Sequence, residues 1–205
     1  MKEAKLFLIA GFIAFTALNA KAQKFTEGDE SLKFLAGQTN INIEYVYDGM
    51  TVGKKTEAAY KAEKVDAYNK KERGKGDRWA EKWVNSRSAV YEPMFEELIN
   101  KMLAKETSIS VGKNKKDAKY TIILKTVMLE PGFNSFVMKI NPYCDFEVSW
   151  VETSSKKVVA KAFMDNVMGI VVNDNDWDFD PSNRIKECFA KAGKMVGKKM
   201  TKLLK

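Results

Sequence analysis

The chain has 205 residues, of which 30% are charged, with a net charge of +8 and no histidine. Lacking histidine, it lacks the usual general base and the commonest transition-metal ligand, which excludes ordinary serine- and cysteine-protease triads. The basic excess is lysine spread among carboxylates rather than an arginine-rich patch, which argues against a nucleic-acid partner.

The N-terminus reads as a secretory signal peptide over residues 1–22. Lys2 and Lys5 open it, Leu6 to Leu18 is continuously apolar, and Ala20-Lys21-Ala22 puts small residues where a signal peptidase reads. The apolar run is shorter than the ~20 residues a membrane-spanning helix needs, and no later stretch approaches that length. The expectation is an exported protein, periplasmic or secreted, whose working form is a single domain over residues 23–205.

Gln23 to Gln38 is polar and reads as a loosely held lead-in. In Ile41-Asn42-Ile43-Glu44-Tyr45-Val46-Tyr47 the apolar residues alternate with more polar ones, the pattern of a half-buried strand, and Asp48-Gly49 ends it in a turn. Thr56 to Glu72 is helical in composition, with Thr56 as N-cap and a thin apolar face of Ala58, Ala62, Val65 and Tyr68. Gly74-Lys75-Gly76-Asp77 breaks it, and Asp77 is placed to cap a second helix bearing Trp79 and Trp83 on one face. Pro93 suits an early position of a third helix, with Phe95, Leu98, Ile99, Met102 and Leu103 at core spacing.

The second half changes period. Thr107 to Val111 is a short strand, and Tyr120 to Leu129 is apolar on both faces, as in a central strand covered on each side. Glu130-Pro131-Gly132 is a turn. Tyr143 to Val151 alternates strictly, with Cys144, Phe146, Val148 and Trp150 on one side. Thr153-Ser154-Ser155-Lys156 turns the chain into a partner strand, Val158 to Met164. After an acidic loop, Asn173 to Asp180, Ser182 caps a terminal helix with one apolar stripe and a lysine-rich end. These elements predict an α+β domain: an antiparallel sheet of about four to five strands with helices packed on it. A helical insertion, about 56–105, separates the first strand from the second.

Three groups of residues are candidates for function. The acidic loop places Asp174, Asp176 and Asp178 at alternate positions, as calcium loops do, but without the glycine and the twelfth-position glutamate of that motif. The competing reading is a solvated loop serving the helix N-terminus. Trp79 and Trp83 either pack as core or stay exposed to meet a protein or glycan partner. Cys144 and Cys188 fall on the apolar faces of sheet and terminal helix. They form a disulfide in an oxidising compartment, or remain two small core hydrophobes. Gly193 and Gly197, a small-xxx-small pair, point to close helix packing.

The signal peptide, the segment Lys75-Gly76-Asp77-Arg78-Trp79 to Trp83, the Tyr120 to Gly132 strand and the Arg184 to Lys205 helix together resemble uncharacterised exported proteins of Bacteroides-type bacteria. The second half is weakly similar to envelope domains of the curli-secretion-lipoprotein and TolB N-terminal type. That resemblance implies a small sheet with helices on it and a role in assembly or interaction. It carries over no functional residue, and the lipidated cysteine of such lipoproteins is missing here. The function expected is therefore a non-catalytic cell-envelope protein acting by protein–protein contact, through the helical insertion or a sheet edge, with no cofactor. The alternative is a calcium- or glycan-binding module using the acidic loop 173–180. A carboxylate-based hydrolase comes third and needs two carboxylates in one deep pocket.

Overall fold

The computed structural model describes residues 24–134, 139–170 and 181–204. The signal-peptide reading and the acidic loop, with Asp174, Asp176 and Asp178, lie outside the described residues. Among the described residues no helix is long and apolar enough to cross a membrane.

The strands are β1 (Lys24–Gly28), β2 (Asn40–Val46), β3 (Thr51–Val52), β4 (Lys55–Thr56), β5 (Ser110–Gly112), β6 (Tyr120–Glu130), β7 (Phe133–Asn134), β8 (Lys139–Ile140), β9 (Tyr143–Glu152) and β10 (Val158–Met168). The helices are α1 (Glu57–Asn69), α2 (Lys75–Ser86), α3 (Glu92–Leu103) and α4 (Ser182–Leu203), with a π-helical turn, Arg87–Tyr91, joining α2 to α3. The main sheet has eight strands in the order β1-β10-β9-β6-β2-β5, with β3 beside β6 and β4 beside β3. β7 and β8 form a separate hairpin.

This corrects the expected architecture. The sheet is mixed and larger than four to five antiparallel strands. β2 runs parallel to β6, pairing Ile43 with Ile122, and parallel to β5, pairing Asn40 with Ser110. β6, β9 and β10 form the expected antiparallel run, and β1, which was not expected, extends it. The physical reason is that a parallel neighbour needs a long crossover connection. The helices between Thr56 and Lys105 are that connection: they return the chain to the end of the sheet where β2 began. They are not a separate insertion. β1 lies in residues read as a lead-in, and its short polar sequence carries no alternation that would have revealed it.

Several local expectations hold. The Thr56 hydroxyl accepts a bond from the Ala59 amide at 3.2 Å, capping α1. Pro93 occupies the first turn of α3. α2 starts earlier than expected, after Gly74 in the left-handed region, so Asp77 sits in its first turn rather than capping it. Cys144, Phe146, Val148 and Trp150 are all fully buried, while Tyr143, Asp145 and Glu147 are half-buried on the other face.

α4 packs on β9 and β10, and beside it α3 packs on β5 and β2. The α4 stripe of Ile185, Cys188, Phe189, Ala192, Val196 and Met200 is fully buried. Phe189 meets Phe146 edge-on at 5.0 Å and stacks on Tyr91 at 5.2 Å. Gly193 and Gly197 face α3 so closely that a Cβ on Gly193 would stand 2.4 Å from the Phe95 carbonyl oxygen. The small-residue pair is thus a seat for α3.

A polar knot joins β2 to the start of α3. Tyr45 donates to the Glu92 carbonyl oxygen at 3.1 Å and to Glu96 Oε1 at 3.2 Å, and Tyr47 donates to Glu92 Oε1 at 3.4 Å. Lys113 donates to the same carboxylate at 2.9 Å, and Arg87 lies 4.4 Å above the Tyr47 ring. Burial pushes both tyrosine hydroxyls far above their ordinary range, and the Glu96 and Glu92 carboxylates push further. The sign follows: below about pH 10 neither state ionises these groups, so their contribution is complete. Above it the unfolded chain releases protons the native chain keeps, and stability falls as pH rises. An alkaline titration should show tyrosinate absorbance from Tyr45 and Tyr47 appearing together with loss of secondary structure. Ionisation of both near pH 10 in a protein that stays folded would contradict this account of the knot.

Candidate functional site

α1 and α2 form a hairpin at the corner of the sheet, and an aromatic cluster holds it. α1 has no buried residue, so its attachment depends on side-chain faces. Tyr60 lies 5.3 Å from Trp83 and 5.9 Å from Trp79, Tyr68 lies 5.8 Å from Trp79, and the two indoles stack at 5.5 Å. Burial raises the Tyr60 hydroxyl to about 12, in keeping with a ring packed among rings. The backbones also touch: a Cβ on Gly76 would come 2.2 Å from the Val65 carbonyl oxygen, so the close approach requires glycine there. Asn69 Oδ1 accepts the Gly76 amide at 2.7 Å and ties the two helices at their turn.

The two tryptophans differ in role. Trp83 is 5% exposed, and its Nε1 donates to Glu57 Oε1 at 2.7 Å. Glu57 also pairs with Arg87, and both side chains are about one-fifth exposed. Trp83 is therefore a structural anchor. Trp79 is half-buried, with the cluster on one side and a pocket of about 310 Å³ on the other. Lys75, Arg78, Lys82, Ser86, Tyr91 and Pro181 complete the lining with both indoles. Lys75, Arg78 and Lys82 stand at i, i+3 and i+7 along α2, one helical face. Glu72 pairs with Arg78 and lies 3.7 Å from the Lys75 ammonium, so one carboxylate already engages two of the cations. The result is a small cleft with an aromatic wall and a positive rim. An anionic group could settle on the rim while an apolar or ring-shaped part covers the indole.

Sequence reasoning identified the tryptophans but not the cations. The signal was present, since basic residues at positions 75, 78 and 82 share a helical face with Trp79. The surrounding abundance of lysine hid it.

The other candidates fall as follows. Cys144 and Cys188 are brought together: both are fully buried and free, close enough for a thiol–thiol hydrogen bond. Burial, and then the neighbouring Cys188 thiol, holds the Cys144 thiol well above its usual range. Asp145 and Asp165 line one open hollow beside the β10 bulge. There Asp145 Oδ1 accepts the backbone amide of Asn166 at 2.7 Å, and Asn166 sits in the left-handed region. This is a surface hollow holding a bulge in place, not a deep site with two carboxylates. Among the described residues no three His, Cys, Asp or Glu side chains gather as a metal site would require.

One sheet edge is closed by α3. Asn100 on α3 clamps Val111 of β5 with two 2.8 Å bonds, one to its amide and one to its carbonyl, as a further strand would. That closes one edge to added strands. β1 forms the other.

No protein-family model matches the chain, and no curated protein matches it. Among solved structures it is similar to the PelC dodecamer from Paraburkholderia phytofirmans, at 12% identity and TM-score 0.39, over 85% of this chain and 96% of that one. A point variant of that dodecamer gives 12% identity and TM-score 0.36, over 85% and 98%. Protein XCC0632 from Xanthomonas campestris, of family DUF330, gives 13% identity and TM-score 0.32, over 54% and 61%. At these scores the likenesses say nothing of what this chain binds or does.

Proposed function

We propose that this chain is a non-catalytic protein of the cell envelope that works by holding an acidic segment of a partner protein in the cleft on α2. The observation that supports the reading is the convergence of Lys75, Arg78 and Lys82 around the half-buried face of Trp79. A half-buried indole that lines a pocket rimmed by cations matches the centre of a binding surface better than it matches core. The export reading rests on the N-terminal pattern of residues 1–22, and the resemblance to envelope assembly domains agrees with it.

The test uses residues 23–205 as wild type and as the Trp79→Ala and Lys82→Glu variants. Poly-glutamate and polygalacturonate serve as acidic peptide and acidic glycan probes, with tryptophan fluorescence as readout. Poly-glutamate should perturb the emission saturably, with an affinity that falls as salt rises. Each variant should weaken binding about tenfold, equivalent to ~1.4 kcal/mol, with unchanged circular dichroism. A response to polygalacturonate alone would replace the protein partner with a glycan. Equal binding by wild type and Lys82→Glu would remove the cleft from consideration.

A further inference from the structure

A second concavity, which shares no residue with the cleft on α2, has different chemistry. Between α3 and α4 runs an open groove of about 520 Å³. Met94 and Leu98 of α3 form one wall. Met195 and the lysine stems of α4 form the other, and Met168 and Ile170 close the end where β10 stops. Ile170 is 65% exposed, an uncommon position for a large aliphatic side chain with no solvent-facing polar group. Along the α4 rim stand Lys191, Lys194 and Lys198. Lys191 donates to the Met168 carbonyl oxygen at 3.2 Å and so fixes the β10 end of the groove. Lys194 and Lys198 are exposed, and among the described residues neither pairs with a carboxylate. Glu187 is the one acidic residue in the lining, at the far end of the row from Lys198.

We propose that this groove binds a single-chain anionic amphiphile, with its alkyl chain along the methionines and its carboxylate or phosphate head between Lys194 and Lys198. Three features select that occupant. The floor is thioether and aliphatic with no aromatic ring, and methionine adapts to flexible chains rather than to one rigid shape. The lysines extend the apolar surface with their stems while keeping their charges at the rim, so the apolar and cationic zones lie side by side. The volume falls within the range of small-ligand sites, roughly 300–1,000 Å³. From Glu187 to Lys198 the groove is about 16 Å long at the helical rise, which suits an extended alkyl chain laid along α4. This inference is independent of the cleft on α2, because the two concavities share no residue.

The experiment labels the methionine methyl groups of residues 23–205 with carbon-13 and follows them by NMR. Laurate, dodecyl phosphate and dodecyltrimethylammonium are added, each below its micelle concentration. The expected result is a saturable shift of the Met94, Met168 and Met195 methyls with the two anions, and binding of the cation at least about tenfold weaker. Tighter laurate binding assigns a fatty-acid head, and tighter dodecyl phosphate a lipid phosphate. Lys194→Gln combined with Lys198→Gln should weaken the anions about tenfold and leave the cation unchanged. Equal binding of anion and cation would overturn the proposal, as would shifts that reach buried Met164 and Met200 equally. So would methyl shifts that depend on protein concentration without ligand, which would assign the groove to a second copy of the chain. A response to an acidic amphipathic peptide but to neither anion would assign it to a protein helix and end the proposal too.

Discussion

Replacing Gly193 by alanine should destabilise the protein by about 2 kcal/mol, although the same change on a free helix would stabilise it by about 1 kcal/mol. The sign separates packing from propensity. Alanine's Cβ would stand 2.4 Å from the Phe95 carbonyl oxygen and 3.1 Å from the Phe95 carbonyl carbon and Cα, all backbone atoms that cannot rotate away. α3 must therefore back off, and the contacts of Phe95, Ile99 and Leu103, all fully buried, loosen with it. Gly197 repeats the constraint one turn on, where a Cβ would meet Met102 Cβ at 2.7 Å and the Ile99 carbonyl oxygen at 2.9 Å. Valine at both positions should leave no folded protein, since the combined cost reaches the ~5–15 kcal/mol that holds a typical domain together. Urea unfolding of Gly193→Ala measures the effect. A midpoint at or above wild type would show that α3 can move away without loss.

Oxidation of Cys144 and Cys188 to a disulfide is the second large effect expected. Closing a loop of about 45 residues contributes roughly 4 kcal/mol in the chain-entropy model, before strain. For a chain of this length that is about 8–16 °C in Tm. The bond would pin α4 to β9 at the centre of the sheet. Its formation is confined to the folding process, because both thiols are fully buried and the Cys144 thiolate is disfavoured by that burial. Protein folded in an oxidising compartment should show no free thiol after denaturation, and protein folded under reducing conditions should show two. The latter should also resist alkylation while native. Two thiols in both preparations would leave the pair as core hydrophobes.

The legibility of this fold in its sequence was uneven, and the unevenness has physical causes. Strand β9 was readable because its faces differ so sharply: Cys144, Phe146, Val148 and Trp150 are fully buried against the polar Asp145, Glu147 and Ser149. α4 and α3 were readable for the same reason at helical period. Strand direction was not, because alternation reports which face of a strand is covered and nothing about the neighbour's polarity. The parallel pairing of β2 with β6 depends on where α1–α3 deliver the chain. β3, β4, β7 and β8, each two residues long, are too short to carry any period. At the α2 cleft, Trp79 and Trp83 were visible as a pair, but only the three-dimensional arrangement assigns Trp83 to the anchor and Trp79 to the open face. In sequence, the lysine-rich far end of α4 reads as a complement to the helix dipole, and the row Lys191, Lys194 and Lys198 does not stand out from it. That reading omitted what α3 and β10 place beside it.

The placement of β1 has a consequence for the order in which the molecule is completed. Among the described residues its one strand partner is β10, with Lys24 opposite Phe163 and Gly28 opposite Ala160. Nearly the whole chain must therefore emerge from the ribosome or a translocon before β1 has anything to join. Every other long strand can pair while β1 waits, so it zips onto a finished sheet and leaves it first. Amide hydrogens of β1 should accordingly exchange through local opening, well ahead of those in β6 and β9.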